Sequence, residues 1–99
     1  MAADAGSESG LYAISAAAEL VGMGQQNLRL YERWGLLEPL RTVRGTRRYS
    51  ETDLATLRRI GTLLQEGLNP AGIRTVLELE AANRRLESEL AAVEARSKS

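Results

Sequence analysis

The chain has 99 residues, carries 13 Lys and Arg against 13 Asp and Glu, and contains neither His nor Cys. Without Cys it has no disulfide, thiolate nucleophile or cysteine-ligated zinc, and without His it has no imidazole base or ligand. The length suits one small domain with an appendage, so a binding module is expected and an enzyme or a bound cofactor is not.

Segments for export or membrane insertion are not evident in the sequence. No charged stretch followed by an apolar stretch opens the chain, and no apolar run approaches the about 18 residues that a membrane span needs. We therefore expect a cytoplasmic protein without a membrane partner.

The charges are strongly segregated along the chain. Residues 1–19 contain three acids and no base, whereas residues 25–60 contain eight Arg and four acids. The segment 41–48 holds Arg41, Arg44, Arg47 and Arg48 and no acid. A concentrated cationic patch of this kind is typical of proteins that bind a polyanion, and double-stranded DNA is the predicted partner.

The first half of the chain predicts a helix-turn-helix. Residues 1–10 lack apolar periodicity and are predicted to be a disordered tail. A short helix over 16–21, capped by Ser15, is expected to end at the glycines of residues 22–24. A second helix over 25–34 is expected to end at Gly35. Two short helices joined by such a turn form this motif.

The pattern then changes to a small β-hairpin, or wing. Pro39 disfavours helix, and short extended segments flank Gly45. After the hairpin, Ser50 and Asp53 predict a capping box at the start of a helix that runs to about Glu66. Its apolar stripe is predicted to be Leu54, Leu57, Ile60 or Gly61, and Leu64.

The last helix is predicted to begin at Asn69 and Pro70 and to carry a coiled-coil seam. The seam follows from apolar spacings of three and four and comprises Val76, Leu79, Asn83, Leu86, Leu90 and Val93. Asn83 at an a position favours a defined homodimer, whose helices are parallel or antiparallel. Glu80 is expected to pair with Arg84 on the same helix.

These elements define a mainly α fold. We predict a winged helix-turn-helix DNA-binding domain over residues 11–74, a coiled-coil dimerisation helix over 75–96 and a disordered end at 97–99. A single amphipathic helix that packs on its own domain without dimerising is the alternative for the last segment.

Candidate DNA contacts lie on the second helix and on the wing. Gln and Asn side chains read adenine and Arg reads guanine or binds phosphate, so the helix candidates are Gln25, Gln26, Asn27, Arg29 and Arg33. A solvated polar face is the alternative for this helix. On the wing, Arg48 has a second interpretation as the partner of Glu51 or Asp53. Tyr49 is either a phosphate ligand or a core residue.

Four ordered motifs resemble the MerR superfamily of bacterial transcription regulators. They are Y-A-I-S-A-A-A-E-L-V-G-M from Tyr12, Q-N-L-R-L-Y-E-R-W-G-L-L from Gln26, R-R-Y-S-E-T-D-L from Arg47 and G-L-N-P-A-G-I-R-T-V-L from Gly67. Within the superfamily, A-A-E-L-x-G-M, R-R-Y-S and L-x-x-A-G-I look most like the HspR-like subgroup of heat-shock repressors.

The resemblance implies a stress-response repressor that binds inverted-repeat operators as a homodimer. It assigns Arg29 and Tyr31 to DNA contact, and Arg47, Arg48 and Tyr49 to the grip of the wing on the DNA backbone. Leu30 and Gly24 depart from the pattern, where many members have Tyr and a Ser or Thr cap. Because metal sensors of the family use Cys or His, and drug sensors a further domain, neither kind of sensor is expected here.

Two other functions remain open from the residues alone. A coiled-coil adaptor would dock on a protein partner, and an architectural or excision factor would bend DNA without regulating a promoter. For a regulator, a chaperone or another protein partner is one hypothetical source of the signal. Association with the bacterial nucleoid is expected from the DNA-binding interpretation.

Overall fold

In a computed structural model, residues 10–98 form a helical domain with a small antiparallel sheet. The elements in chain order are β1 (Leu11–Tyr12), α1 (Ile14–Val21), α2 (Gln25–Arg33), β2 (Leu40–Arg41), β3 (Arg47–Ser50), α3 (Glu51–Gln65) and α4 (Pro70–Ser97). The predicted winged helix-turn-helix followed by a long helix is confirmed. Most of the predicted N-terminal tail, residues 1–9, lies outside the described residues.

The helix-turn-helix is formed by α1 and α2. Gly22 ends α1 with a φ of 70°, and the Met23 N–H donates to the Ala18 carbonyl, as the glycine turn predicts. Gly61 of α3 lies under this turn, where a Cβ would come within 2.8 Å of the Met23 methyl carbon. The turn therefore packs closely on α3 because position 61 has no side chain.

The start of α1 differs from the prediction. α1 begins at Ile14 with Ala13 as N-cap and no side-chain cap, so Ser15 lies inside the first turn. The physical reason is β1, whose Tyr12 pairs with Tyr49 of β3 and leaves Ala13 to lead directly into the helix. A two-residue strand is too short to leave an alternating pattern in the sequence.

The sheet has the order β1-β3-β2, and β2 and β3 form the predicted wing. Leu40 pairs with Arg48 and Arg41 with Arg47 around a turn in which Gly45 has a φ of 86°. β3 is the central strand and leads directly into α3. The wing is therefore joined to the body at the predicted capping box of Ser50 and Asp53.

That cap is the capping box of α3, which is confirmed. Ser50 Oγ accepts from the Asp53 N–H at 3.0 Å, and Asp53 Oδ2 accepts from the Ser50 N–H at 2.9 Å. We expect Ser50→Ala to lower the free energy of unfolding by about 1 kcal/mol. Ser15→Ala, at a position that caps nothing, should change it by less than about 0.5 kcal/mol. Urea unfolding of both variants measures the difference, and equal losses would contradict the assignment of the cap.

The core lies between α3 and the elements that surround it. α3 buries Leu54, Leu57, Ile60 and Leu63, and Leu64 is partly buried against the same core, so the predicted stripe omitted only Leu63. The reason is that α3 contacts α1, β3 and α4 and so buries a broader face than a single stripe. The other buried apolar side chains are Ala17, Ala18, Leu28, Tyr31, Leu36, Pro39, Tyr49 and Ile73.

α4 is a single 28-residue helix that leaves the body part-way along its length. Ile73 is buried and Val76 and Leu77 pack on the core, whereas every residue from Asn83 to Lys98 is exposed. The predicted domain boundary between residues 74 and 75 therefore lies within a continuous helix. Despite this length, no helix within residues 10–98 is apolar enough to cross a membrane.

Two local predictions for α4 are wrong. Glu80 pairs with Arg59 of α3, at 2.7 Å from Oε2 to Nη2, rather than with Arg84, because α3 passes alongside this turn of α4. The predicted disordered end at 97–99 is corrected for residues 97 and 98, and residue 99 lies outside the described residues. Ser97 Oγ and the Lys98 N–H both donate to the Glu94 carbonyl and extend the helix. At the start of α4, the Asn69 side chain accepts from the Gly72 N–H, as predicted.

Candidate nucleic-acid interface

The exposed face of α2 carries most of the helix candidates. Gln25, Gln26, Asn27 and Arg33 are exposed, and Arg29 is half-buried. A shallow groove on this face is lined by Gln26, Asn27, Arg29, Leu30 and Arg33. The opposite face is held in the core by Leu28 and Tyr31, which fixes the direction in which the polar groups point. The structure therefore brings the helix candidates together on one side of the domain.

Glu32 of α2 joins this helix to both strands of the wing. Its Oε2 accepts from Arg41 of β2 at 2.6 Å, and its Oε1 accepts from Arg47 of β3 at 2.5 Å. We call these three side chains the Glu32 clamp. One carboxylate thus pairs with two of the four wing arginines, which leaves the three side chains with a net charge of +1, and it holds the wing against α2.

The clamp depends on the charge of Glu32. Burial alone would raise the pKa of the Glu32 carboxyl, but the hydrogen bonds and charges of Arg47 and Arg41 outweigh it and hold the pKa below its ordinary value of 4.5. Because the pKa is lower in the folded than in the unfolded chain, the clamp stabilises the fold above about pH 4.5. This contribution is lost as the pH falls through the folded-state pKa.

We expect Glu32→Gln to lower the free energy of unfolding at pH 7 by about 1 kcal/mol, because the Arg41 side chain is 45% exposed and its ion pair is screened. The difference from wild type should shrink as the pH is lowered below 4.5. Glu38→Gln, at an exposed acid with no ion pair among the described residues, is the control. Denaturant unfolding between pH 3 and 7 tests this, and a difference independent of pH would contradict the clamp.

The other two wing arginines are not paired with acids. The Arg44 side chain has no hydrogen bond or ion pair within residues 10–98, and Arg48 Nη1 donates to the Arg47 carbonyl at 3.1 Å. The alternative pairing of Arg48 with Glu51 or Asp53 is wrong, since Asp53 belongs to the capping box and Glu51 accepts from the Tyr12 hydroxyl. Arg44 and Arg48 therefore keep their charges available on the wing.

Two tyrosines among the candidates lie in the core. Tyr31 is 6% exposed and packs beside Trp34, with ring centroids 5.6 Å apart. Tyr49 is fully buried, and burial raises the pKa of its hydroxyl, which has no hydrogen-bond partner within the described residues. Of the two interpretations of Tyr49, phosphate ligand or core residue, the structure agrees with the core residue. The structure thus places neither ring on the surface formed by α2 and the wing.

Sequence reasoning missed Glu32, which determines how the two parts of this surface fit together. Glu32 is the only acid in residues 25–33, and it precedes four wing arginines that have no acid among them. That imbalance was a usable signal for a pairing between the helix and the wing. Within residues 10–98, no cluster of three or more acidic side chains could hold a metal ion.

Comparison with known proteins identifies a family and several relatives of this chain. The sequence profile of the MerR HTH family regulatory proteins matches residues 12–80. The putative heat shock protein HspR of Streptomyces coelicolor is 49% identical over 71 residues, which are 71% of this chain and 47% of that protein. The HTH-type transcriptional regulator GlnR of Bacillus anthracis is 37% identical over 67 residues, or 68% of this chain and 52% of that protein. The chain thus spans about half the length of these curated relatives.

Solved structures of MerR family regulators are similar over most of the chain. HiNmlR, a MerR family regulator lacking the sensor domain and bound to promoter DNA, superimposes with a TM-score of 0.67 at 29% identity. The match covers 89% of this chain and 68% of that one. Fold, motifs and profile agree, and the chain belongs to the MerR HTH family of regulatory proteins.

Proposed function

We propose that this protein is a sequence-specific DNA-binding transcriptional regulator, and a repressor, that acts as a homodimer on an inverted-repeat operator. The observation that carries this proposal is the Glu32 clamp, which holds Arg41 and Arg47 of the wing against α2 and so joins the polar face of α2 and the wing into one surface. The family and the promoter-bound relative support the same function over that of an enzyme.

On this surface the helix and the wing have different tasks. Side chains at the start of α2 read base edges in the major groove, with Gln25, Gln26, Asn27 and Arg29 as the candidates. Arg33, Arg44 and Arg48 bind phosphates or base edges beside them. Arg41 and Arg47 position the wing through Glu32 and add positive charge. Tyr31 and Tyr49 support the surface from the core.

The exposed part of α4 supports the homodimer. Leu79, Leu86, Leu90 and Val93 are each at least half exposed, and they follow the predicted seam along one side of a helix that extends beyond the body. Asn83 is exposed among them. Val76, the first seam residue, already packs on the core. A second α4 is the occupant we propose for this stripe, since two-fold symmetry would also present two α2 helices to two half-sites.

The proposal is tested by mixing the purified protein with fragmented DNA of its own organism at physiological salt and sequencing the bound fragments. A few enriched promoter fragments that share an inverted repeat are expected, and transcription from such a promoter should fall when the protein is added. Broad enrichment without a shared sequence would indicate an architectural DNA-binding protein instead. No enrichment would overturn the proposal and favour an adaptor that binds a protein.

Two further parts of the proposal concern the cell. Association with the bacterial nucleoid, in the cytoplasm, follows from binding to chromosomal operators. A chaperone or another protein partner as the source of a stress signal is supported by the similarity to a putative heat shock protein of Streptomyces coelicolor. Co-purification of the protein from heated and unheated cells tests the second part.

A further inference from the structure

The end of α2 is held by a side chain from the beginning of α4. Trp34 follows α2 as its C-cap, and Arg74 Nη2 donates a hydrogen bond to the Trp34 carbonyl across 40 residues of sequence. The last carbonyls of a helix have no partner within that helix, so they need a donor from elsewhere. A positive charge at this place also interacts favourably with the partial negative charge of the helix end. Arg74 therefore ties α2 directly to α4.

The Arg74 guanidinium lies beside the turn that follows α2. A Cβ at Gly35 would lie 3.4 Å from Arg74 Nη2 and 4.0 Å from Arg74 Nε, so the guanidinium covers the backbone of this glycine. Gly35 has a φ of 77°, in the left-handed region that other residues rarely adopt, and the chain turns away from the helix there. Arg74 therefore holds the very end of α2, at the point where the helix stops.

A second polar contact holds α4 against the body further along the helix. Glu80 Oε2 accepts from Arg59 of α3, at 3.0 Å from Nε and 2.7 Å from Nη2. Ile73, next to Arg74 in the sequence, is fully buried in the core. Because Arg74 and Glu80 lie about 9 Å apart along the axis of α4, the two contacts together hold the direction in which the helix leaves the body. Of the two, the contact made by Arg74 relates this direction to α2.

The direction of α4 determines how far apart two α2 helices lie in a dimer. In the proposed homodimer the seam that includes Leu86 lies at the two-fold axis, so α4 sets the place where each α2 meets the DNA. Leu86 is about 18 Å from Arg74 along α4, and a tilt of about 10° at the body therefore moves α2 by about 3 Å relative to the axis. That displacement is close to the rise of one base pair, about 3.4 Å. A small change at the base of α4 thus corresponds to a change of about one base pair in the spacing of half-sites.

We propose that Arg74 is a positioning residue for operator recognition, which holds α4 relative to α2 and so selects the half-site spacing that the homodimer accepts. The inference rests on the proposed function and deepens it, because it assigns part of the operator specificity to a residue that does not contact DNA. The Glu32 clamp holds the wing to the same last turn of α2. A shift of α4 against α2 therefore moves the whole DNA-binding surface relative to the two-fold axis.

The test compares operators of different spacing. The strongest fragment from the genomic selection is used as found, and with one base pair added to or removed from the centre of its repeat. Wild type should bind the natural spacing about tenfold more tightly, because each base pair shifts one half-site by about 3.4 Å and rotates it by about 35°. Arg74→Met keeps a long apolar side chain but removes the donor, and it should reduce this preference to about threefold. Arg74→Lys keeps the charge and an N–H donor, so it should retain most of the preference.

Arg85→Met is the matched control, since Arg85 is an exposed arginine of α4 outside the seam. It should show the spacing preference of wild type. A fragment with a single half-site separates positioning from other roles. Arg74→Met should bind this fragment as wild type does, and the slope of log K against log salt should be unchanged. Sedimentation equilibrium should show the same dimer for wild type and all three variants.

Three results would overturn the inference. A wild-type spacing preference in Arg74→Met would show that the contact with Trp34 does not set the spacing. An equal loss of affinity for one half-site and for two would trace the effect of Arg74→Met to the folding of α2. A salt slope that is shallower by about 0.9 for each protomer would make Arg74 a phosphate ligand. Failure of the wild-type protein to bind any fragment, or to form a dimer, would instead defeat the proposed function itself.

Discussion

Replacing Leu86 and Leu90 together by Asp is expected to convert the protein to a monomer and to weaken operator binding by roughly 10²- to 10⁴-fold. Both side chains are nearly 60% exposed on the part of α4 that extends beyond the body, so their loss costs the isolated chain little core packing. In a dimer the same change would place four carboxylates in an apolar seam. Binding would then lack the second half-site, and with it the benefit of two linked contacts.

The control for this variant is a pair of Asp residues at Ser88 and Ala92. These positions have the same spacing and are also exposed, but each lies about 200° around the helix from the corresponding leucine. The control should sediment as wild type and bind the operator equally well. Sedimentation equilibrium and DNA titration measure both properties. A wild-type protein that is monomeric at micromolar concentration, or a seam variant that remains dimeric, would refute the assignment of the seam.

Arg29→Ala is expected to weaken operator binding by about 2 to 6 kcal/mol for a dimer, which is the range for one Arg contact to guanine lost in each protomer. Arg29 lines the groove on α2 and has no hydrogen bond or ion pair within the described residues. Its removal should therefore leave the urea midpoint nearly unchanged. Arg85→Ala, at an exposed arginine of α4 outside the seam, is the control and should bind as wild type.

The same variant separates base contact from phosphate contact. If Arg29 reads a base, the ratio of specific to non-specific affinity should fall while the salt slope changes little. If it binds phosphate, the slope should become shallower by about 0.9 for each protomer, and all sequences should bind more weakly. Unchanged affinity and unchanged specificity would remove Arg29 from the interface.

Local signals in the sequence were sufficient for most of the fold. Gly22, Gly45 and the Ser50–Asp53 capping box mark element ends within a few residues of chain, and each was found where the pattern predicts. The predicted seam of α4 also follows from local sequence, because its spacing of three and four residues is a property of a single helix. Such features can be predicted because their cause lies within a turn or two of the residue concerned.

Contacts between distant parts of the chain could not be predicted in the same way. Arg59 and Glu80 meet only because α3 and α4 cross at one particular place, and both have closer potential partners in sequence. Tyr49 alternates with polar neighbours in β3, but its burial depends on α1 and α3 covering that side of the strand. For the candidate interface, the polar positions of α2 and the wing arginines were found, but not the acid that connects them.

The Glu32 clamp also constrains how specificity can change during evolution. The carboxylate lies in the last turn of α2, whereas Gln25, Gln26 and Asn27 lie in the first. Under the proposed function, substitutions at the first turn would change the operator that is bound while the wing keeps its original orientation. An exchange of the whole helix that omits Glu32 would release Arg41 and Arg47 at the same moment. The two ends of a single helix of nine residues would therefore tolerate substitution differently, the first turn more freely than the last.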